Sequence, residues 1–178
     1  PTDTVYGVGA SAFTEEAIRR LFFVKQRSVK KGIPILIADE RDLGKVAVDI
    51  PAIAEGLIAR FWPGPLTLIL PKRKDLPPSI SDTESVAVRL PDHEVAREII
   101  RAAGGTLATT SANLSGHAAA QTASEALDDL AGAVAIVIDD GPSEGQVAST
   151  VVDCTGETMR ILRSGPVSME DLQEVESL

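Results

Sequence analysis

The 178 residues are 44% apolar but only 3% aromatic, and they sum to a formal charge of −9. That length is enough for one domain with a true hydrophobic core, to be built mostly from Ile, Leu, Val and Ala. The acidic total argues against a surface that grips nucleic acid throughout, and no run approaches the ~20 apolar residues of a membrane-spanning helix.

The chain opens on PTDTVYGVGA. This stretch is too polar for a plain core strand, and its glycines let backbone pass close to a ligand. Thr14 is placed to cap a helix with Glu15 and Glu16 in its first turn and an apolar stripe of Ala17, Ile18, Leu21 and Phe22. Lys25, Arg27, Lys30 and Lys31 follow as one basic group, and Lys72, Arg73 and Lys74 as a second. Residues 33–38 (IPILIA) have strand length. Pro51 suits the first turn of a helix reaching Phe61, which Trp62-Pro63-Gly64-Pro65 stops.

Residues 66–70 (LTLIL) and 85–90 (SVAVRL) read as strands. Residues 93–103 read as a helix closed by Gly104 and Gly105, and 106–109 as a short strand. Thr122 and Glu125 form a capping box for a helix to Leu130. The β-branched run 134–139 (VAIVID) reads as a buried strand. Residues 150–154 and 159–162, joined by a tight turn, predict an antiparallel pair, and a last helix near Ser168 uses Leu172 and Val175. The alternation predicts an α/β domain, a twisted mixed sheet with helices packed around it.

Cys154 cannot form an internal disulfide, and a buried thiol in a cytoplasmic protein fits. His93 and His117 lie far from other ligand types, as cap or surface residues, so no metal site is indicated. Four segments could carry chemistry: PTDTVYG, Lys25-Gln26-Arg27, residues 109–116 (TTSANLSG), and Ala148-Ser149-Thr150 with Arg163. Three are rich in small hydroxyls beside strand ends, where α/β domains place ligands. Cations, hydroxyls and backbone amides together suit a polyphosphate, although neither GxxxxGK[ST] nor GxGxxG occurs. Arg89, on an otherwise apolar strand, needs a partner, either a structural acid or a ligand carboxylate. Such a site positions reactants and neutralises charge rather than attacking covalently.

In order and spacing, PTDTVYGVGA, KQR, WPGPLTLIL, SVAVRLPDH, SANLSG, AST and ILRSGPVS resemble the YrdC/Sua5/TsaC family of threonylcarbamoyl-AMP synthases, over essentially the whole chain. The resemblance implies a YrdC/RibB-like fold with a deep, positively lined cavity. It also implies condensation of L-threonine, bicarbonate and ATP, with Mg2+, to threonylcarbamoyl-AMP and pyrophosphate. A threonylcarbamoyl transferase complex then uses the product for tRNA t6A37 modification, with tRNA contact as a further expectation. Carried over by position, Lys25 and Arg27 face the ATP phosphates as the catalytic cations, and Ser85, Ser111, Asn113 and Arg163 complete the ATP site. Thr4, Arg89, Thr109 and Ser149 hold threonine, Arg89 through the amino acid's carboxylate.

The chain departs from the family pattern in places. It lacks the strand and helix that usually precede PTDTVYG, so a single domain (1–178) without its first N-terminal elements, with an exposed sheet edge, is expected. Leu36 stands where histidine is frequent, Ala119-Ala120 where Ser-Pro is usual, and Gln146-Val147-Ala148 lacks the family's glutamate. Two other readings fit similar residues. One is a carbamoyl-adenylate-forming domain like that of hydrogenase-maturation carbamoyltransferases, and the other is a non-catalytic RNA-binding module. The acidic total and scarce aromatics weigh against the second.

Overall fold

The computed structural model describes residues 1–28, 31–130 and 132–176; Lys30, of the first basic group, lies outside them. Seven strands form one sheet: β1 (Gly7–Ser11), β2 (Ile35–Ile37), β3 (Leu66–Pro71), β4 (Ser85–Arg89), β5 (Thr106–Ser111), β6 (Thr150–Asp153) and β7 (Arg160–Arg163). Their spatial order is β1-β5-β2-β4-β3-β6-β7. The β2–β4 and β3–β6 pairs are parallel and the others antiparallel, including β6 with β7. The sheet is therefore mixed, as the sequence predicts.

Alternation along the strands divides the sheet into two unlike faces. Val8, Ala108, Ile35, Ile37, Val86, Val88, Leu66, Leu68, Leu70 and Val152 point to one face, all buried. They share a core with Ile18, Leu21 and Phe22 of α1 (Glu15–Val24), with Leu57 and Ile58 of α2 (Ala52–Phe61), and with Leu172 and Val175 of α5 (Met169–Glu176). Each such aliphatic side chain contributes about 1.5–3 kcal/mol by leaving water. Beneath β6, Thr150 is fully buried, and its hydroxyl donates to the Val167 carbonyl (2.9 Å) and accepts from the Val167 amide (3.0 Å). Those two bonds tie the chain after β7 to the sheet. Cys154 ends β6 fully buried, its amide bonded to the Ile69 carbonyl (3.0 Å), and burial pushes its thiol up to about 12.

Helix ends follow the sequence in most places. His93 caps α3 (Glu94–Ala102) by accepting from the Ala96 amide, and the chain leaves this helix through Gly104 and Gly105 at φ +97 and +89. Thr122 accepts from the Glu125 amide at the start of α4 (Ala123–Leu130), while Glu125 reaches back to the Gln121 amide (2.7 Å). Thr14 does not cap α1, because its hydroxyl turns to Ser11 Oγ (3.0 Å). Two 3-10 segments, Glu40–Lys45 and Pro78–Ile80, have no counterpart in the sequence reading. The first is anchored by Asp39. Arg101 and Arg97 of α3 bond its carboxylate, holding it near 2, well below the usual carboxylate range.

The expected buried strand at 134–139 does not form. Among the described residues the segment belongs to no ladder, and Ile136 is 79% exposed. β-branched residues make a buried strand only where a neighbouring strand pairs with them, and among the described residues no strand pairs with this segment. Residues 134–138 instead bound an apolar groove of about 480 Å3 with Gly7 and Gly9 of β1, Leu36, Leu107 and Ile100. β1 is the sheet's edge on this side, paired with β5 alone. The Tyr6 hydroxyl moors the following turn by donating to the Gly141 carbonyl (2.6 Å) and to Asp139 (3.1 Å).

Candidate nucleotide and amino-acid site

The face opposite the core carries the polar residues. Ser85 and Arg89 alternate with buried Val86 and Val88 on β4, and Thr109 and Ser111 alternate with Ala108 and Thr110 on β5. Register places Arg89 opposite Leu36, Thr109 opposite Gly9 and Arg163 opposite Val151, all on this second face. A period of two thus separates the hydrophobic core from the candidate site, strand by strand.

Lys25 follows α1 directly and is only 2% exposed. Its ammonium points inward onto the loop after β5, where it donates to the carbonyls of Ser111 and Asn113 (2.5 Å to the latter) and lies 3.3 Å from Asn113 Oδ1. Burial, reinforced by repulsion from Arg27, lowers the Lys25 ammonium to about 8, with Asp129 acting in the other direction. The Asn113 amide donates to the carbonyls of Leu114 and His117, both at 2.9 Å. Asp129 of α4 accepts from the Leu114 amide (2.9 Å) and meets His117 Nδ1 at 2.9 Å. The 111–117 loop is therefore held from inside by a cation and from outside by a carboxylate.

Gln26 adopts φ +49, and the chain turns so that Arg27 donates to the carbonyls of Lys31 (3.0 Å) and Gly32 (2.9 Å). Burial and then repulsion from Arg163 hold Arg27 below its ordinary value. Arg163 donates from Nε and Nη2 to the Ser149 carbonyl (3.0 and 2.8 Å) and from Nη2 to Ser149 Oγ (3.0 Å). Ser149 Oγ also meets Thr67 Oγ1 at 2.8 Å. Arg89 is 5% exposed and donates to the Gly64 carbonyl (2.9 Å), to Thr4 Oγ1 (2.7 Å) and to the Asp3 carboxylate. Burial lowers Arg89, Asp3 opposes that shift, and the charge of Arg163 adds to it.

These contacts link nine of the ten residues singled out in the sequence, or set them beside one another on one face. Lys25 holds Ser111 and Asn113; Arg27 faces Arg163; Arg163 holds Ser149; Arg163 and Arg89 repel each other; Arg89 holds Thr4. Thr109, on β5 opposite Gly9, brings its methyl to 2.9 Å from where a Cβ on Gly7 would be. That contact explains why the opening motif carries glycine there. Ser85 stands apart at the other end of β4, in a hydroxyl chain with Thr83 and Ser81 beside Gly32. The apolar groove reaches Thr109 and Thr2 but is lined by none of Lys25, Arg27, Arg89 or Arg163.

The sequence reading missed Asp3, Thr67 and the Gly64 carbonyl. An acid beside Thr4 in a glycine-bearing loop was the available signal for Asp3; nothing in the sequence sets Thr67 apart from its strand. Among the described residues no three His, Cys, Asp or Glu side chains gather to hold a metal.

A family model named Sua5/YciO/YrdC, described as telomere recombination, matches residues 1–165. The chain belongs to the Sua5/YciO/YrdC family. It is 40% identical over 176 residues to a threonylcarbamoyl-AMP synthase of Pyrococcus abyssi, covering 98% of this chain and 52% of that protein. It is 41% identical over 176 residues to a putative threonylcarbamoyl-AMP synthase of Mycobacterium tuberculosis, covering 98% and 81%. The chain thus spans about half the length of the first relative and about four-fifths of the second. The solved structure of P. abyssi Sua5 complexed with L-threonine superposes with a TM-score of 0.95 at 40% identity, over 98% of this chain and 52% of that one. Escherichia coli YciO, 24% identical with a TM-score of 0.85 over 97% of this chain and 84% of that one, shares the fold. The α/β architecture read from the sequence is thus that of the Sua5/YciO/YrdC family.

Proposed function

We propose that this domain forms threonylcarbamoyl-AMP from L-threonine, bicarbonate and ATP, releasing pyrophosphate, as a nucleotidyltransferase. The observation that carries this is the second face of the sheet. Three arginines and a lysine meet there among Thr4, Thr67, Ser111 and Ser149, in a chain about 40% identical to relatives of that name.

In this reading the threonine amine first combines with bicarbonate, losing water, to give N-carboxy-threonine. A carbamate oxygen then bonds to the α-phosphorus of ATP as the bond to the bridging oxygen of the β-phosphate breaks, and pyrophosphate departs. The residues supply position and charge. Arg27 and Arg163, already repelling each other, gain by sharing polyphosphate between them. Arg89 with Thr4 takes the amino acid's carboxylate and keeps the carbamate near the nucleotide. Thr109 and Ser149 complete the threonine pocket, and Ser111 and Asn113 complete the nucleotide pocket. Lys25 contributes by fixing the Ser111–Asn113 backbone and by its charge. Among the described residues no three acids, histidines or cysteines gather into a metal cage, so Mg2+ arrives on the phosphates of ATP and no step passes through a protein-held ion.

The product, a mixed anhydride, then passes to a threonylcarbamoyl transferase complex acting on tRNA, with tRNA contact confined to that handover. A cytoplasmic site of action follows from that role; no helix among the described residues is long and apolar enough to cross a membrane.

The test is pyrophosphate release from ATP and Mg2+. It is expected only when threonine and bicarbonate are both present. Arg163→Ala is expected to raise the KM for ATP about tenfold or more, the scale of a lost charge-assisted bond, with the KM for threonine changed less. Release that ignores threonine, or none from folded protein, would overturn the assignment.

A further inference from the structure

A guanidinium has five N–H donors. At Arg89 three have partners: Nε–H on the Gly64 carbonyl, one Nη1–H on Thr4 Oγ1 and one Nη2–H on the Asp3 carboxylate. One donor remains on each terminal nitrogen among the described residues. These remaining N–H groups are donors from which a ligand carboxylate can accept.

The guanidinium is thus fixed in its plane at three points from two segments, the 1–6 loop and the turn after α2. Of those three contacts, only the one to Asp3 carries charge. The Asp3 side chain is 13% exposed, its carboxylate pairs with Arg89, and the pair sits where Arg163 pushes on Arg89 with a like charge. A neutral anchor at this position would leave two arginine charges facing each other with no acid between the N-terminal loop and the sheet. Gly145 closes this loop from outside. A Cβ there would strike the Asp3 carbonyl and lie 3.2 Å from Thr4 Cα, so the backbone carrying Asp3 has little room to shift.

We infer that Asp3 is a positioning residue for the amino-acid substrate, acting through Arg89: it holds the guanidinium in place so that its remaining N–H donors meet a carboxylate, and it never touches the substrate itself. The inference rests on the synthase reading given above. A purely structural ion pair would stabilise the loop without distinguishing one substrate from the other. A positioning residue affects the substrate that meets Arg89 and spares the one that meets Arg27 and Arg163.

The experiment compares wild type, Asp3→Ala and Asp3→Asn by steady-state pyrophosphate release and by calorimetric titration with L-threonine and, separately, with ATP. Asp3→Ala is expected to weaken threonine binding and raise its KM by about tenfold or more, the scale of a disrupted charge-assisted pair, with the KM for ATP within about twofold of wild type. Asp3→Asn keeps an acceptor oxygen for Nη2 and is expected to recover part of that loss. Should Asp3→Ala fail to fold, Asp3→Asn carries the test alone through the same split between substrates. Equal shifts for threonine and ATP, or no shift for threonine in a folded variant, would overturn the inference. Wild-type protein that neither binds threonine nor releases pyrophosphate would overturn the synthase reading itself, so the two failures are distinct.

Discussion

Replacing Lys25 with methionine is expected to lower pyrophosphate release by about a hundredfold or more while the protein still folds. Methionine matches the length of the lysine stem and fills the buried space, but it leaves the Ser111 and Asn113 carbonyls without their shared donor. A buried acceptor without a partner costs about 1–3 kcal/mol, and a loop that shifts by about 1 Å can lose two orders of magnitude in rate. Single-turnover measurement at saturating ATP separates this from weak binding, because the loss should persist there. A variant retaining more than a third of wild-type turnover would show that the loop holds its shape without the cation.

The same lysine makes stability and activity diverge above neutrality. Burial and Arg27 bring its proton off near pH 8 in the folded protein, against 10.5 for the free side chain. Between those values the unfolded chain binds more protons, so this group's contribution to stability rises with pH and is complete above 10.5. Below pH 8 both states are protonated and the burial penalty on the charge is present in full. Activity runs the other way, because the ammonium loses a donor and its charge as pH passes 8. The wild-type rate is expected to fall along that limb while the denaturation midpoint does not fall with it, and Lys25→Met should lack the limb.

Gly165→Ala is expected to be the most disruptive small substitution in the chain. A Cβ at this position would overlap the Thr150 amide nitrogen, the Ala148 carbonyl oxygen (2.6 Å) and the Ser149 carbonyl carbon (2.6 Å). All three are backbone atoms, which cannot rotate aside as the end of a flexible side chain can. Either the 148–150 segment or the chain after β7 must move. The first carries Ser149, and the second follows Arg163 and ends on the Thr150–Val167 bonds. The expected cost is about 2–4 kcal/mol, read from denaturant unfolding, together with a larger rise in the KM for ATP than Arg163→Ala gives. Unchanged stability would show that the segment yields more easily than its packing implies.

Those residues also show what a sequence reveals and what it hides. The strands from Leu66, Ser85 and Thr106 were legible from their short apolar runs, but the face that carries Arg89, Thr109 and Ser111 is given by the register of the folded sheet, in which the strand from Thr106 runs on past 109 to Ser111. Gly104 and Gly105 marked the end of α3 because the chain needs positive φ there. Residues 134–139 misled because β-branched composition measures fitness for a strand, not the presence of a partner to pair with. The candidate residues stood out through their motifs; the direction in which their cations point did not. Lys25 reads as a phosphate ligand in one dimension, yet its ammonium turns to two carbonyls that lie 86 and 88 residues further along the chain. Asp3 was hidden for a similar reason, since the arginine it pairs with is on a strand 86 residues away.

Cys154, fully enclosed at the end of β6, gives the protein an internal chemical clock. It is the one cysteine in the chain, and a thiol held near 12 offers almost no thiolate to a reagent at neutral pH. Alkylation therefore proceeds only during those moments when the β3–β6 ladder parts and water reaches the sulfur. Its rate, followed by mass at increasing denaturant, counts openings of the central sheet one molecule at a time and without an introduced label. Any ligand that binds the closed sheet would slow that clock according to its affinity for the closed form.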